Sequence, residues 1–190
     1  MSTNKRQQEK INQLIAELQS GKETAISSAL KTLQVNGDAS IIKPLAELLQ
    51  GNISDKNRKE VHEFLSTLND TSTIEPLIEV IRDERFLSVR QELLYCMWNN
   101  KLDYSYYLPD FVAIACEGNF MEAIDCLTII ENLEGPFEER HILESQLHLK
   151  DYLEDKAPKD EKHAQIMSEI ALLLKDFDRM DEDEIDFYNE

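Results

Sequence analysis

Apolar residues recur along most of the chain at steps of three and four, the spacing that places side chains on one face of an α-helix. The stretch from residue 11 to residue 33 shows this pattern twice, on either side of a Ser-Gly pair. It recurs further along the chain at Phe86, Val89, Leu93, Cys96 and Met97. The pattern predicts a series of short amphipathic helices, each with one face that must pack against a neighbour.

A second pattern, Asp-x-Ser-x-x-x-Pro, appears three times. It begins at Asp38, at Asp70 and at Asp103, so the copies are 32 and 33 residues apart. Residues 38–50 and 70–82 are identical at six of thirteen aligned positions. A period of this length is typical of stacked supersecondary units.

Each copy contains signals for the start of a helix. Asp or Ser can accept hydrogen bonds from the free backbone N–H groups there, and Ser72 with Glu75 also has the spacing of a capping box. A proline follows in or near the first turn, where it removes few hydrogen bonds: Pro44, Pro76 and Pro109. A short break, at 50–55 or 82–86, then precedes a second helix. We therefore predict that each unit is a hairpin of two antiparallel helices.

Extending the pattern to both ends of the chain gives ten helices in five hairpins. They lie near residues 10–35, 38–69, 70–102 and 103–134, with a closing helical pair at 136–175. We expect residues 1–175 to form a single domain. Residues 176–190 carry eight acids and one arginine and would follow as an acidic tail. This tail either stays solvated or docks through its aromatic residues Phe177, Phe187 and Tyr188, on the protein itself or on a basic partner.

The composition favours an all-α fold, because Gly and Pro are scarce at five each and residues that favour helices are abundant. With 190 residues, 42% of them hydrophobic, the chain can bury one ordinary core or a short stack of units. No window reaches 18 apolar residues, and the N-terminus lacks the apolar stretch of a secretory leader. We expect a soluble, cytoplasmic protein.

The net charge of −18 restricts the choice of partner. Nucleic-acid binders neutralise phosphates with Lys and Arg, and this chain has 20 of these against 38 acids, so we expect no nucleic acid and no anionic membrane as partner. The charge favours a positively charged ligand. We expect a negative surface over the middle units from Glu47, Glu79, Asp83, Glu84, Glu92, Glu117, Glu122, Asp125, Glu131 and Glu134.

The stretch DTSTIEPLIEVIRDERFLSVRQELL, residues 70–94, resembles a HEAT repeat, especially the short variety found in phycobilin-lyase-like proteins. In that pattern an Asp opens the unit, Pro-Leu follows six residues later, and Asp followed by Val-Arg starts the second helix. The matching residues are Asp70, Pro76, Leu77, Asp83, Val89 and Arg90. The preceding copy has Asn57 where Val would stand, and the copy at Asp103 has no clear Val-Arg pair. The resemblance implies an α-solenoid, a right-handed superhelical stack of about five antiparallel hairpins.

Half of the aromatic residues lie between positions 95 and 120. Helical projection places Tyr95 opposite the apolar stripe of its helix and Trp98 at the edge of that stripe, where aromatic rings can anchor a partner. The alternative is that these aromatics fill gaps between diverged units. Our candidate partner-binding residues are Tyr95, Trp98, Tyr104, Tyr107, Glu92 and Glu131.

Other repeated residues are expected to be structural. Arg58 and Arg90 occupy the same repeat position, and in HEAT-like stacks such arginines link adjacent units through acidic side chains or helix-end carbonyls. The repeated aspartates would cap helices, and at about 10 Å apart they are too distant to share a catalytic proton. The repeat-structural residues are Asp38, Pro44, Arg58, Asp70, Pro76, Arg90, Asp103 and Pro109.

No catalytic, metal or cofactor site is evident. The cysteines lack a C-x-x-C pairing and are predicted to be buried free thiols: Cys96, Cys116 and Cys126. His141, Glu144 and His148 could share one helix face, but such sets are common by chance and we expect no metal there. The acidic tail lacks the Gly that a calcium loop needs. Phosphate-binding loops and hydrolase motifs are absent from the sequence.

We therefore expect a non-enzymatic interaction module or scaffold that holds a protein or peptide, with a basic segment, on the curved face formed by the second helices. The alternative that the resemblance implies is a lyase-like or chaperone protein that handles a tetrapyrrole, with Tyr95, Trp98 and Tyr107 stacking on the ring. HEAT-like DNA glycosylases are a third resemblance, which the charge opposes.

Overall fold

The computed structural model describes residues 2–36, 38–155, 157 and 160–187. This part of the chain contains ten α-helices and no β-strand, which confirms the all-α prediction. The helices are α1 Ser2–Gln19, α2 Glu23–Asn36, α3 Ile42–Gln50, α4 Asp55–Ser66, α5 Ile74–Arg82, α6 Arg90–Asn99, α7 Leu108–Glu117, α8 Phe120–Glu131, α9 Glu139–Glu154 and α10 Glu161–Phe187.

The chain divides into two compact units, Met1–Leu102 and Asp103–Glu190, and the boundary falls at the third Asp-x-Ser copy. In the first unit α1 packs on α3 and α3 on α5, while α2 packs on α4 and α4 on α6. In the second unit α7 packs on α9 and α8 on α10. Within each unit, therefore, first helices pack on first helices and second helices on second helices. That residues 1–175 form a single domain stays a prediction.

An aspartate lies at the start of each repeated first helix. In each copy its carboxylate accepts a hydrogen bond of 2.9 to 3.0 Å from the backbone N–H of the serine two residues later: Asp38–Ser40, Asp70–Ser72 and Asp103–Ser105. One turn of 3₁₀ helix follows and leads directly into α3, α5 or α7. The repeated proline is the second or third residue of the α-helix, where the backbone N–H would have no partner within the helix.

The capping box expected from Ser72 and Glu75 does not form. Because α5 begins at Ile74, its N-cap position falls on Thr73, whose side chain makes no capping bond. A capping box is found instead at the start of α8, between Asn119 and Glu122. Repeated Asp-x-Ser turns thus precede three of the first helices, α3, α5 and α7, whereas the starts of the second helices differ from one another.

The apolar faces pack as the sequence pattern predicts. All five residues of the stripe from Phe86 to Met97 are buried. In the second unit α10 continues through Phe187 and so includes much of the acidic segment. The ring of Phe177 is buried and stacks on Phe137, with ring centres 4.1 Å apart. Tyr188 and the side chain of Phe187 lie outside the described residues.

Asn57 explains one departure from the repeat pattern. It is buried at the start of α4, and its amide lies 3.2 Å from the carbonyl of Glu23, 3.1 Å from the hydroxyl of Ser27 and 2.9 Å from the carboxylate of Glu60. Ser27 also donates to Glu60 at 2.6 Å, and this bond lowers the pKa of Glu60. A polar cluster around the buried Asn57 therefore joins α2 to α4, where the next repeat has the buried Val89.

Asn57→Val tests this cluster, because the repeat pattern predicts that the substitution stabilises the protein and the structure predicts that it destabilises it. Valine would restore the pattern, but it would leave Ser27 and Glu60 without their amide donor. We expect the free energy of unfolding to fall by roughly 1–3 kcal/mol, measured by urea denaturation with circular dichroism. Asn52→Val, at an exposed position before α4, is the control and should change stability little. An equal or more stable Asn57→Val protein would show that the cluster contributes nothing.

Candidate functional site

Arg58 joins three helices of the first unit. One guanidinium nitrogen lies 2.7 Å from both carboxylate oxygens of Glu92 on α6, and the other donates to the carbonyl of Leu49, near the end of α3, at 2.9 Å. The ring Nε2 of His62 lies 2.7 Å from the same carboxylate. Arg58 thus contacts both an acidic side chain and a helix-end carbonyl, the two kinds of partner expected for it. Arg90 is half-buried at the start of α6.

Glu60 and Glu92 are 32 residues apart and occupy corresponding places on α4 and α6. Each carboxylate binds side chains of the preceding second helix, Glu60 through Ser27 and Glu92 through Arg58 and His62. Glu92 is therefore engaged within the chain, which removes it from the acidic surface offered to a partner. Projection on α6 alone could not reveal this, because Arg58 is 34 residues earlier in the sequence.

Tyr95 and Trp98 form an aromatic pair on the outward side of α6. Tyr95 is 45% exposed and Trp98 is half-buried, in the positions that the helical projection assigned to them. Their ring centres are 5.4 Å apart and the rings meet edge to face. The indole Nε1 of Trp98 is buried and has no hydrogen-bond partner in the part of the chain that the structure describes. Tyr95 is therefore the member of the pair that a partner can cover.

The other aromatic candidates lie in the second unit. Tyr104 is only 2% exposed and packs edge to face on Phe111, 5.8 Å away, so its assignment to a binding surface was wrong. Its position inside the Asp-x-Ser turn explains the error, since helical projection does not apply there. Tyr107 is half-buried, and Glu131 is exposed at the end of α8. The six candidates are thus divided between the two compact units.

Tyr106 belongs to the aromatic stretch between positions 95 and 120 but is not among the six candidates. It is 56% exposed, and its hydroxyl accepts a hydrogen bond from Arg140 at 3.1 Å. The guanidinium of Arg140 also lies 5.6 Å from the ring centre, and His141 packs on the ring edge-on. Tyr106 is therefore held by neighbours in its own unit.

The acidic surface is smaller than the sequence suggested. Glu122 and Asp125 are buried, and Asp83 and Glu92 are half-buried in ion pairs with Arg85 and Arg58. The hydrogen bonds from Arg85 hold the pKa of Asp83 at about 2. Six of the ten predicted acids remain exposed: Glu47, Glu79, Glu84, Glu117, Glu131 and Glu134.

A pocket of about 260 Å³ lies between two of the repeated turns in the first unit. Asp38 and Asp70 are both among its lining residues, and the hydrogen bonds from Ser72 hold the pKa of Asp70 below its ordinary value. The complete lining is Leu33, Gln34, Asp38, Ile41, Phe64, Thr67, Leu68, Asn69, Asp70 and Thr73. This pocket combines two negative charges with an apolar wall, and none of these ten residues is basic.

Metal-binding chemistry finds no support in the described residues, which contain no group of three or more His, Cys, Asp or Glu side chains able to hold an ion. His141 is buried and Glu144 is exposed, so these two do not face the same environment. None of the three cysteines forms a disulfide: Cys96 and Cys126 are buried and Cys116 is half-buried. Burial raises the pKa of Cys116 to about 12, which leaves it a poor nucleophile at neutral pH.

The described residues thus define an all-helical protein with an exposed tyrosine, Tyr95, packed on Trp98, and with an acidic pocket. Compared with protein-family models, with curated proteins and with solved structures, the chain matches none. None of the helices in the described ranges has both the length and the apolar character needed to cross a membrane.

Arg58→Ala tests the bridge between α3, α4 and α6. The variant leaves Glu92 with His62 alone and leaves the Leu49 carbonyl without this donor. Because the pair is half-exposed, we expect a loss of roughly 1–2 kcal/mol in the free energy of unfolding, measured by urea denaturation. Lys59→Ala removes a cation from the same helix at an exposed pair with Glu63 and should cost under about 0.5 kcal/mol. Equal effects of the two substitutions would contradict a bridging role for Arg58.

Proposed function

We propose that this protein is a non-enzymatic interaction module built from HEAT-like stacked hairpins, which binds a protein or peptide carrying a basic segment. The contact surface is the outward side of α6. Tyr95 is the aromatic anchor, and the exposed acids attract the ligand.

The periodicity of the side-chain contacts supports a stacked architecture. Bonds between successive second helices of the first unit join residues about one repeat apart: 33 residues for Ser27 to Glu60 and 34 for Arg58 to Glu92. In the second unit Arg140 binds Tyr106, again 34 residues away. Such spacing is expected when each hairpin packs on the next in the same orientation. The packing of α1, α3 and α5, and of α2, α4 and α6, has the same periodicity.

The single observation that carries the proposal is the exposure of Tyr95. Its ring projects from a well-packed helix, and its edge-to-face contact with Trp98 limits its freedom. A ring held in this way provides a large contact area at little cost in conformational entropy, the property that makes aromatic residues frequent at the centre of interfaces. Trp98 supports the ring from the side.

The charge of the chain supports the choice of a basic ligand. Six carboxylates of the middle repeats are exposed, on a protein of net charge −18. A field of this sign speeds the encounter with cations and repels acidic ligands. The repeated aspartates, which could otherwise suggest acid–base chemistry, each accept a backbone hydrogen bond at the start of a helix. This capping role supports a binding function over a catalytic one.

Salt dependence tests the electrostatic part of the proposal. The probe is a fluorescein-labelled dodecapeptide of lysine, leucine and glycine, and binding to the full chain is followed by fluorescence anisotropy. We expect affinity to fall at least about tenfold between 50 and 300 mM salt, because the screening length shrinks from roughly 14 Å to under 6 Å. The same peptide with glutamate for lysine is the control and should not bind. Absence of binding by the lysine peptide, or equal binding of both peptides, would refute the proposed ligand class.

Tyr95→Ala tests the aromatic anchor. We expect affinity for the lysine peptide to fall by about 2 kcal/mol, roughly 30-fold in Kd, while Tyr95→Phe retains most of it. The matched control is Tyr106→Ala, which removes an exposed tyrosine of the second unit and should leave binding unchanged. Thermal unfolding of each variant shows whether the fold is intact. Parent-like binding by a folded Tyr95→Ala protein would remove α6 from the site.

A further inference from the structure

The pocket between the Asp38 and Asp70 turns differs from other pockets of the first unit in its charge. A pocket of about 320 Å³ between α3 and α5 also contains acids, Glu79 and Asp83, but Lys43 and Arg85 lie among its lining residues. Asp83 already binds Arg85 there, with Nε at 2.9 Å from both carboxylate oxygens. A third pocket, between α2 and α4, contains Lys31 beside its two glutamates. By contrast, the ten residues that line the Asp38 and Asp70 pocket include no cation.

The carboxylates of this pocket can accept further hydrogen bonds. A carboxylate has about four acceptor positions. Asp38 uses two of them for the N–H and hydroxyl of Ser40, and Asp70 accepts from Ser72, all neutral donors within the same turns. Hydrogen bonds from neutral groups stabilise the charged carboxylate without cancelling its charge. Both aspartates thus contribute uncancelled negative charge to the lining of the pocket.

The ends of two helices add to this negative potential. α2 ends at Asn36, two residues before Asp38, and α4 ends at Ser66, four residues before Asp70. The pocket lining includes Gln34 from the last turn of α2 and Thr67 directly after α4. The carbonyl end of a helix carries a partial negative charge that favours cations. Four sources of negative potential, two carboxylates and two helix ends, therefore converge on one cavity.

The size and lining of the cavity indicate a single long side chain. Its volume of about 260 Å³ lies below the roughly 300–1,000 Å³ typical of sites for drug-sized ligands. Leu33, Ile41 and Phe64 are buried along its wall, whereas Asp70 is exposed and Asp38 half-buried. This arrangement places apolar surface deeper than the charge. Lysine and arginine have the matching form, with an aliphatic stem and a charged head that remains hydrated.

We propose that this pocket receives a lysine or arginine side chain of the bound basic segment, with the stem against Leu33, Ile41 and Phe64 and the cationic head between Asp38 and Asp70. The inference rests on the proposed function for the nature of the ligand, but it assigns a separate site. The pocket recognises charge, whereas Tyr95 contributes apolar contact.

Blocked amino acids test the pocket without the rest of the ligand. The full chain is titrated with N-acetyl-lysine methylamide and with the norleucine analogue, which has a similar stem and no ammonium group. The readout is the backbone amide signals of Ser40 and Ser72 in two-dimensional NMR, because these amides bind the two carboxylates. We expect saturable shifts with the lysine compound alone. Equal shifts with both compounds, or none with lysine, would overturn the proposal.

The double variant Asp38→Asn, Asp70→Asn removes both charges and keeps the helix starts, since asparagine caps helices as well as aspartate does. We expect affinity for the labelled lysine peptide to fall about three- to tenfold, the range for two partly exposed charge pairs. Asp103→Asn is the matched control, because Asp103 forms the same turn in the second unit and should leave affinity unchanged. Parent-like binding by the folded double variant would overturn the proposal.

Two further results separate the alternatives. If the lysine peptide fails to bind the parent protein while the blocked lysine shifts Ser40 and Ser72, the proposed function fails and the site is a small cation pocket outside it. Titration with n-butylamine completes the series. The protein could bind n-butylamine saturably but bind neither the blocked lysine nor the peptide. That result would assign the site to free amines and refute the proposal that it receives a side chain.

Discussion

The hydrogen bond from the serine N–H to the aspartate carboxylate is the contact on which the repeated structure depends. It closes the turn that leads into α3, α5 and α7, and the residue at which each of these helices begins determines which side chains face the core. Leu45 and Leu77 each stand seven residues after their aspartate and are both fully buried. Starting the helix one residue later would rotate every side chain by about 100° around the axis and would turn these leucines away from their neighbours. The turn therefore determines which side chains of each repeated first helix face the core.

Polar contacts add a constraint that apolar packing alone lacks. An apolar stripe can slide along its neighbour by one helical turn and still bury similar area, whereas a hydrogen bond is lost within about 1 Å. The bonds from Ser27 to Glu60 and from Arg58 to Glu92 fix the position of α4 along α2 and of α6 along α4. Their chemistry differs from one pair to the next, although Glu60 and Glu92 stand at equivalent positions. The repeat thus preserves the position of the contact while its partners vary.

The sequence predicted features within a single helix well, but it did not reveal which residues turns and neighbouring hairpins bring together. Helix number, the buried stripe of α6 and the exposure of Tyr95 depend on spacing within one helix, which periodicity reports directly. Burial of Tyr104 depends on Phe111 and on the path of a turn, and the pairing of Glu92 depends on a residue one repeat away. The pocket requires two turns 32 residues apart to come together. Such features arise when a turn folds against its helix or when hairpins pack, so projection of a single helix does not contain them.

Together the two proposed contacts define the spacing of a ligand. Tyr95 stands 32 residues after Glu63, so the two residues occupy equivalent positions on α6 and α4. Phe64, the residue after Glu63 on α4, lines the pocket. Packed helices lie about 8–10 Å apart. An extended peptide covers that distance in about three residues. We therefore expect a segment that fills the pocket and covers Tyr95 at once to place its lysine or arginine about three or more positions from an apolar residue.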